Sequence, residues 1–546
     1  MLKKSNINIR ELLKTILRFA WPILPLGIAI YVNFIHIASS PGWRDLYLYH
    51  GDSVTLSMIL SSIKNGEPFN WVLSSQLFIF PEGLIYAISS VLTSNIYGSL
   101  VLNTIINFTA LGALFWTIGR QLSLSVFKSQ LFSVLGVAII VFYGILEKQP
   151  LVNQSTFVTL FSFNTYYYGV ILASLALFSL ALLIVRLINQ KNSLKKLIIT
   201  MGSMLLVASL TQLSNPLLLL QFIAPLLCTL LILVLINRLR IKTALLIAGT
   251  NILAVVLAQI GRKLFEQYIG SSVGSYLNFD NIPSAINSID STITQILSSK
   301  SSTIEYIFIL AIALLSLFYG FYIIYCSTRN KDTDIKISLY VFVAVFASIT
   351  PAIVFILTIA SGSAYTRYFL PIAFIPILSF AVLMTRNKNN RIFAAVTYVG
   401  FGLLFLALIS FMILHISQAK SLTSADQNDP VVCFDKKTAG IQITAVGSFM
   451  TSRPLDLYTK KDSTTVLQVY DSLKPFIWMN NKSNYASKKF NSVIVDHVKI
   501  APSYITAQDV AILGEPSVKY KCDAFDIYYF KDGSSGMIKL NKLISS

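Results

Sequence analysis

Charge is what this sequence has least of. Only 12% of its 546 residues are Asp, Glu, Lys or Arg, and just 24 of them are acidic. Hydrophobic residues make up 55%. An ordinary soluble domain needs about a quarter of its residues charged, so that class is excluded. Cysteine and histidine are equally sparse at four each, and the chain holds no paired CxxC set and no HExxH motif. A P-loop is not found either. These absences argue against a metalloprotease and against a nucleotide-driven pump.

What replaces charge is a series of long apolar runs. The stretch "PLLLLQFIAPLLCTLLILVLI", residues 216–236, carries no charge at all. In lipid only helices or closed barrels satisfy every backbone group, and continuous rather than alternating apolar runs exclude the barrel. About eleven spans are predicted, near 19–38, 97–118, 130–146, 165–187, 197–213, 216–237, 243–260, 305–327, 337–360, 368–385 and 392–414. The formal charge of +19 follows from topology. With the N-terminus in the cytoplasm, every second connection is basic, for example Arg238, Arg240 and Lys242, and the alternate ones are neutral or mixed. That is the positive-inside pattern, reinforced by attraction to anionic lipid, and it implies no nucleic-acid partner. The first apolar run is long and lacks an A-x-A site, so no cleavable signal is expected. This feature and the Ile/Lys/Asn-rich composition suit a bacterial plasma membrane.

The expected fold class is a polytopic α-helical membrane protein of about 11 transmembrane helices, residues 1–415, with a small C-terminal extracytoplasmic α/β domain, residues 416–546. The first external loop, 39–96, is predicted to carry two interfacial helices. One is "SVTLSMILSSIKNG", with apolar residues at helical spacing and a Gly stop; the other is "PEGLIYAISSVLTS", too short to span. Reading the second as a span would put the basic clusters outside. A second external loop covers 261–304. The tail changes composition, with 16 Lys+Arg against 12 Asp+Glu. Its segments "GIQITAV", "TTVLQVY", "NSVIVDHV" and "FDIYYF" read as strands, and "TAQDVAILG" as a helix opened by a Thr cap. Cys433 and Cys522 bracket the tail, where an oxidising compartment permits a disulfide.

Twelve acidic residues precede the tail, and nine of them fall outside or at the outer edge under this topology. Asp45, His50 and Asp52 lie within eight residues of one another, just after the first span. A carboxylate at a bilayer edge is costly unless paired or hydrated, so it marks a candidate site; the competing reading is loop solubility. Near the other end, "SGSAYTRYFLPIAFIP", 361–376, places Arg367 and Tyr368 at the outer start of a late span. A guanidinium there can grip a lipid phosphate through two hydrogen bonds; the competing reading is interfacial anchoring. The outer-side "NTYYYG" and "QLSNP" read first as interfacial polar belts, and Lys148, Arg262 and Lys263 as further cations for phosphate. In the tail, Trp478 with Asn480 and Asn481 offers a sugar-stacking surface, against the usual role of Trp in a small core.

The order of these features resembles the C-type (GT-C) glycosyltransferases, integral membrane enzymes that use polyprenyl-phosphate sugars. An acid shortly after the first span, a helix ending in Gly, a proline-led segment and a late Arg-Tyr-x-x-Pro are matched by "GDSVTLSMILSSIKNGEP", "FPEGLIYAISSVLTSNIYGS" and Arg367-Tyr368-Phe369-Leu370-Pro371. Glu82 and Gly83 stand where the family carries its second proline and flanking residues. The resemblance implies transfer of a sugar from a polyprenyl-phosphate donor to an extracytoplasmic glycan, lipid or protein of the cell envelope. It assigns Asp52 as base, or Asp45 in its place or as acceptor-orienting or metal-supporting group. Arg367 would clamp phosphate, with Tyr368, His50 and Glu82 as further substrate-binding candidates. A divalent cation is compatible, but none is required and no metal ligands are assigned. The competing functions are a lipid-linked glycan flippase or transporter, which wants polar residues deep in several spans, and a non-catalytic envelope assembly protein.

Overall fold

Helix boundaries follow local chemistry. In the computed structural model, which describes residues 20–147, 158–165, 167–190, 193–270, 279–329, 335–362, 365–386, 391–459, 464–486, 488–499 and 503–545, Asn95 caps the helix Ile96–Gln121 by accepting from Gly98 N, and Ser125 caps Val126–Leu146 by accepting from Lys128 N. Gly66, at φ +69°, ends the amphipathic helix Thr55–Lys64. Among the described residues, nine helices are long and apolar enough to cross a membrane. Two of the expected spans are shorter, Ile23–Ser39 and the segment Leu219–Leu235. Each of the eleven apolar runs is therefore helical. Ile79–Leu92 is a short helix, as the sequence predicts. A 102° bend separates Ile23–Ser39 from Pro41–Leu48, so the chain turns sharply where the first apolar run ends.

The bundle has an inside and a rim. The apolar window of Val126–Leu146 is 83% buried by protein, whereas that of Arg391–Gln418 is 11% buried, so the latter faces lipid. Small residues let helices approach in the absence of a hydrophobic drive between them. Gly112 sits against Ser133, whose hydroxyl donates to Gly112 O at 2.6 Å. Phe178 stacks on Phe346 with centroids 4.1 Å apart, joining Tyr168–Asn189 to Ile335–Ala360.

Seven strands are present among the described residues: β1 Trp71–Val72, β2 Thr444–Gly447, β3 Thr465–Gln468, β4 Asn480–Asn481, β5 Ser492–Asp496, β6 Val518–Lys521 and β7 Phe525–Tyr529. The main sheet has the order β3-β2-β5-β7-β6, with β2 parallel to β3 and β5, and β7 antiparallel to its neighbours. The four strands read from sequence are all there; β6, exposed along most of its length, lacks the apolar alternation that would have announced it. Successive residues of β5 point to opposite faces. Val493 and Val495 join Leu540 and Ile544 of the final helix, while Ile494 joins Phe449, Phe525 and the core that continues into the bundle. Both faces are covered, which is why Val493, Ile494 and Val495 are apolar without alternation. The expected Thr cap is a full capping box between Thr506 and Asp509. A disulfide joins Cys433 to Cys522 across 6.0 Å between Cα atoms.

The sheet region is docked on the first connecting loop. Arg44 donates to both carboxylate oxygens of Asp429, at 2.5 and 2.8 Å, and to Ser421 O at 3.1 Å. β1 pairs antiparallel with β4, so a strand of the loop and a strand of the tail form a second small sheet. Ala38 O accepts from Lys420 N at 3.0 Å.

Candidate functional site

Asp52 stands in a turn between the helices Pro41–Leu48 and Thr55–Lys64, and neighbouring segments hold that turn at several points. Ser53 Oγ donates to Leu46 O at 2.6 Å, and Thr165 Oγ1 donates to Asp52 O at 2.9 Å. Gly51 is pressed against Phe449, where an added Cβ would lie 2.6 Å from a ring carbon. Asp52 N donates to His50 Nδ1 at 3.3 Å. Burial lowers the His50 pKa, the Asp52 charge opposes that, and Arg367 and Arg453 reinforce it. The lowered pKa favours the neutral ring, whose Nδ1 is the acceptor for Asp52 N.

Arg367 lies in the turn Thr366–Phe369 that opens the late span. Its guanidinium carbon sits 5.1 Å from the Tyr365 ring centroid, 5.7 Å from Tyr167 and 5.8 Å from Tyr368. Three aromatic faces orient one cation, which restricts its rotamers before any ligand arrives. Gln221 Nε2 fixes the turn by donating to Tyr368 O at 2.9 Å.

These two segments, more than three hundred positions apart, line one cavity of about 80 Å³ together with Ser74, Gln76, Phe78, Thr165, Tyr167, Tyr368, Trp478 and Met479. That space is roomy enough for ordered water among its polar walls. Six non-glycine residues among those described have positive φ, and three of them, Phe78 (+51°), Tyr167 (+67°) and Met479 (+57°), line this cavity. Such backbone costs about 1–3 kcal/mol per residue and persists where surrounding structure over-determines it, which is typical of functional sites.

The other predicted residues fall elsewhere. Asp45 is exposed on its short helix and does not line the cavity; its neighbour Arg44 is the one turned inward. His50 braces the Asp52 turn rather than lining the cavity. The Glu82 carboxyl is wholly buried against Gly169, where an added Cβ would lie 2.4 Å from Glu82 Cδ. Burial pushes its pKa up to about 7, tempered by the N–H groups of Glu82 and Gly169. It supports the Tyr167–Gly169 turn from behind. Tyr368 does line the cavity. Arg262 is spent on Leu213 O and Ser75 O, at 2.9 and 2.8 Å, and so pins the 74–78 segment. Lys148 lies outside the described residues. Asn480 and Asn481 are buried in β4, whereas Trp478 reaches the cavity on a stack of Phe449 and Phe476. Thr165 and Tyr167, read first as an interfacial belt, are cavity walls. The residues that sequence reasoning missed, Ser74, Gln76, Phe78 and Met479, carry no local signal.

Beside the Arg367 turn an apolar groove of about 480 Å³ runs between the amphipathic helix Ile282–Leu297 and the span Lys300–Arg329, with Thr366 and Phe369 in its wall. That volume is in the range of ligand pockets. Among the described residues no three His, Cys, Asp or Glu side chains converge to hold a metal.

No family model matches the sequence, and no curated protein matches it. Among solved structures the chain is similar to the oligosaccharyltransferase of Archaeoglobus fulgidus in complex with Zn and sulfate, at 10% identity and a TM-score of 0.46, over 86% of this chain and 68% of that one. The same archaeal enzyme tethered to an acceptor peptide containing the NVT sequon gives 12% identity and 0.45, over 88% and 70%. A third, the archaeal oligosaccharyltransferase AglB from Archaeoglobus fulgidus with an inhibitory peptide and a dolichol-phosphate, gives 10% and 0.44, again over 88% and 70%. Likeness at this level assigns no residue a role.

Proposed function

We propose that this chain is a membrane glycosyltransferase that moves a sugar from a polyprenyl-phosphate donor to an acceptor hydroxyl on the extracytoplasmic side, where the sheet domain lies. The observation that carries the reading is that Asp52 and Arg367 line the same cavity. In the reaction the acceptor oxygen attacks the anomeric carbon, the bond from that carbon to the phosphate oxygen breaks, and the hydroxyl proton passes to Asp52. The charge left on the polyprenyl phosphate is held by the Arg367 guanidinium, already oriented by its tyrosines. The apolar groove suits the polyprenyl chain, since its wall residues Thr366 and Phe369 belong to the same turn as Arg367.

The test uses the detergent-solubilised full chain and synthetic farnesyl-phosphate sugars (mannose, glucose, galactose and N-acetylglucosamine). Octyl glucoside and water supply acceptor hydroxyls, and release of farnesyl phosphate is measured. Asp52→Asn is expected to lower turnover by about 10²–10⁴-fold, the usual contribution of a positioned base. Normal turnover by that variant removes Asp52 as the base, whereas no release by the wild-type protein, with normal surface glycan in cells carrying Asp52→Asn, returns the protein to the assembly-factor reading. Lipid-linked intermediates accumulating on the cytoplasmic leaflet would instead indicate a flippase.

A further inference from the structure

Arg453 is one of the largest fully buried side chains in the protein, at 1% exposure, and it belongs to the sheet domain rather than to the bundle. Its helix, Phe449–Tyr458, lies against the helix that follows Asp52. The guanidinium donates from Nε to Gly51 O at 2.9 Å and from Nη2 to Thr55 Oγ1 at 2.8 Å. From Nη1 it reaches Gln468 Oε1 at 3.3 Å and also the carbonyl of Met479. Its hydrogen-bond acceptors are thus all neutral oxygens, which is an expensive way to bury a cation. Burial lowers its pKa to about 10, with the Asp52 charge the foremost influence in the opposite sense.

The choice of acceptors is informative. Gly51 immediately precedes Asp52, Thr55 begins the helix after it, and Met479 is itself a cavity wall. A single guanidinium thus ties two segments that bound the cavity, one from the first connecting loop and one from the tail. Its five donors in a planar fork are suited to several carbonyls at once, which an ammonium cannot match.

We propose that Arg453 is a positioning residue that aims the Asp52 carboxylate into the cavity and supplies a fixed positive charge behind it, so that the sheet domain is a working part of the reaction centre. This rests on the proposed transfer reaction. Arg453 touches no reacting atom; it acts through the Gly51–Thr55 turn.

The test uses the farnesyl-phosphate-sugar assay with Arg453→Lys and Arg453→Met, together with farnesyl phosphate affinity and the pH–rate profile. Both variants should lose about 10²-fold in turnover, the scale of a catalytic group displaced by about 1 Å. Farnesyl phosphate affinity, the task of Arg367, should stay within about threefold. In Arg453→Met the acidic limb of the profile should move up by about one pH unit, because removing a cation raises a nearby carboxylate's pKa. Arg453→Lys keeps the charge and should leave the limb in place. A Lys variant with wild-type turnover, or a Met variant with an unmoved limb, overturns the inference. So does failure of both variants to fold, which would make Arg453 a stability residue only. If the wild-type protein releases farnesyl phosphate and Asp52→Asn does not, while Arg453→Lys is normal, the transfer reading stands and this inference alone fails.

Discussion

Removing Asp429 should undock the sheet domain from the first connecting loop. Asp429 is 3% exposed and accepts from Arg44 Nη1 and Nη2, from Tyr49 Oη at 2.6 Å and from Asp426 N at 2.6 Å. Asp429→Ala leaves Arg44, 2% exposed, as a buried cation with only Ser421 O as a remaining acceptor among these contacts. Breaking a buried pair on one side costs about 3–5 kcal/mol, a shift of roughly 10²- to 10⁴-fold in the docking equilibrium. The exposed pair Lys420–Asp426, at 3.8 Å, should contribute no more than about 1 kcal/mol and serves as the control. Hydrogen exchange of the amides in 41–56 and protease sensitivity of the tail report the docking. Arg44→Met with Asp429→Leu should restore much of the loss, because no uncompensated charge remains. Unchanged exchange in Asp429→Ala would refute the reasoning. The pH dependence follows too. Burial would raise the Asp429 pKa, but the hydrogen bonds from Arg44, Tyr49 and Asp426 N–H outweigh it and hold the carboxyl below its ordinary value. A depressed pKa contributes stability above the unfolded value and loses it on acidification, so undocking by acid is expected only below about pH 4.

Gly51→Ala should force the Asp52 turn from Phe449, costing about 1–3 kcal/mol in thermal stability along with turnover; Phe449→Leu in the same chain should recover part of both. Glu82→Gln should be stabilising by up to about 3 kcal/mol above pH 7, since a carboxyl raised to about 7 favours the folded state at low pH and loses that contribution as pH rises from about 4.5 to 7. Melting curves of this variant should be flatter in that window, and an unchanged slope would count against the buried charge. Arg367→Lys keeps the charge but loses the fork and the tyrosine stacking, so farnesyl phosphate affinity should fall about tenfold by titration; equal affinity would remove Arg367 from the phosphate site.

Membrane residence and the helical elements were legible because lipid acts as a solvent on each span separately. A run such as 216–236 declares itself without reference to any partner. Strand β5 and the Thr506 cap were equally local, readable from apolar content and one side-chain hydrogen bond. Asp52 and Arg367 were legible as candidates because charge is rare and both were placed on one side of the membrane.

Their meeting was not. Nothing in the spacing of two residues over three hundred positions apart sets a common cavity, which depends on how the 102° bend and the late span pack. Asp45 and Asp52 look alike in sequence, yet one faces solvent and the other the cavity, because helix phase and a turn separate them. Arg453, Trp478 and Met479 belong to a region that reads as a separate soluble unit, and their contacts with Gly51 and Ser74 exist only after docking. Sequence alone determined the solvent each segment prefers, since transfer free energy is a property of the segment. The tertiary structure decided which side chains share a cavity, since that is a property of packed pairs far apart along the chain.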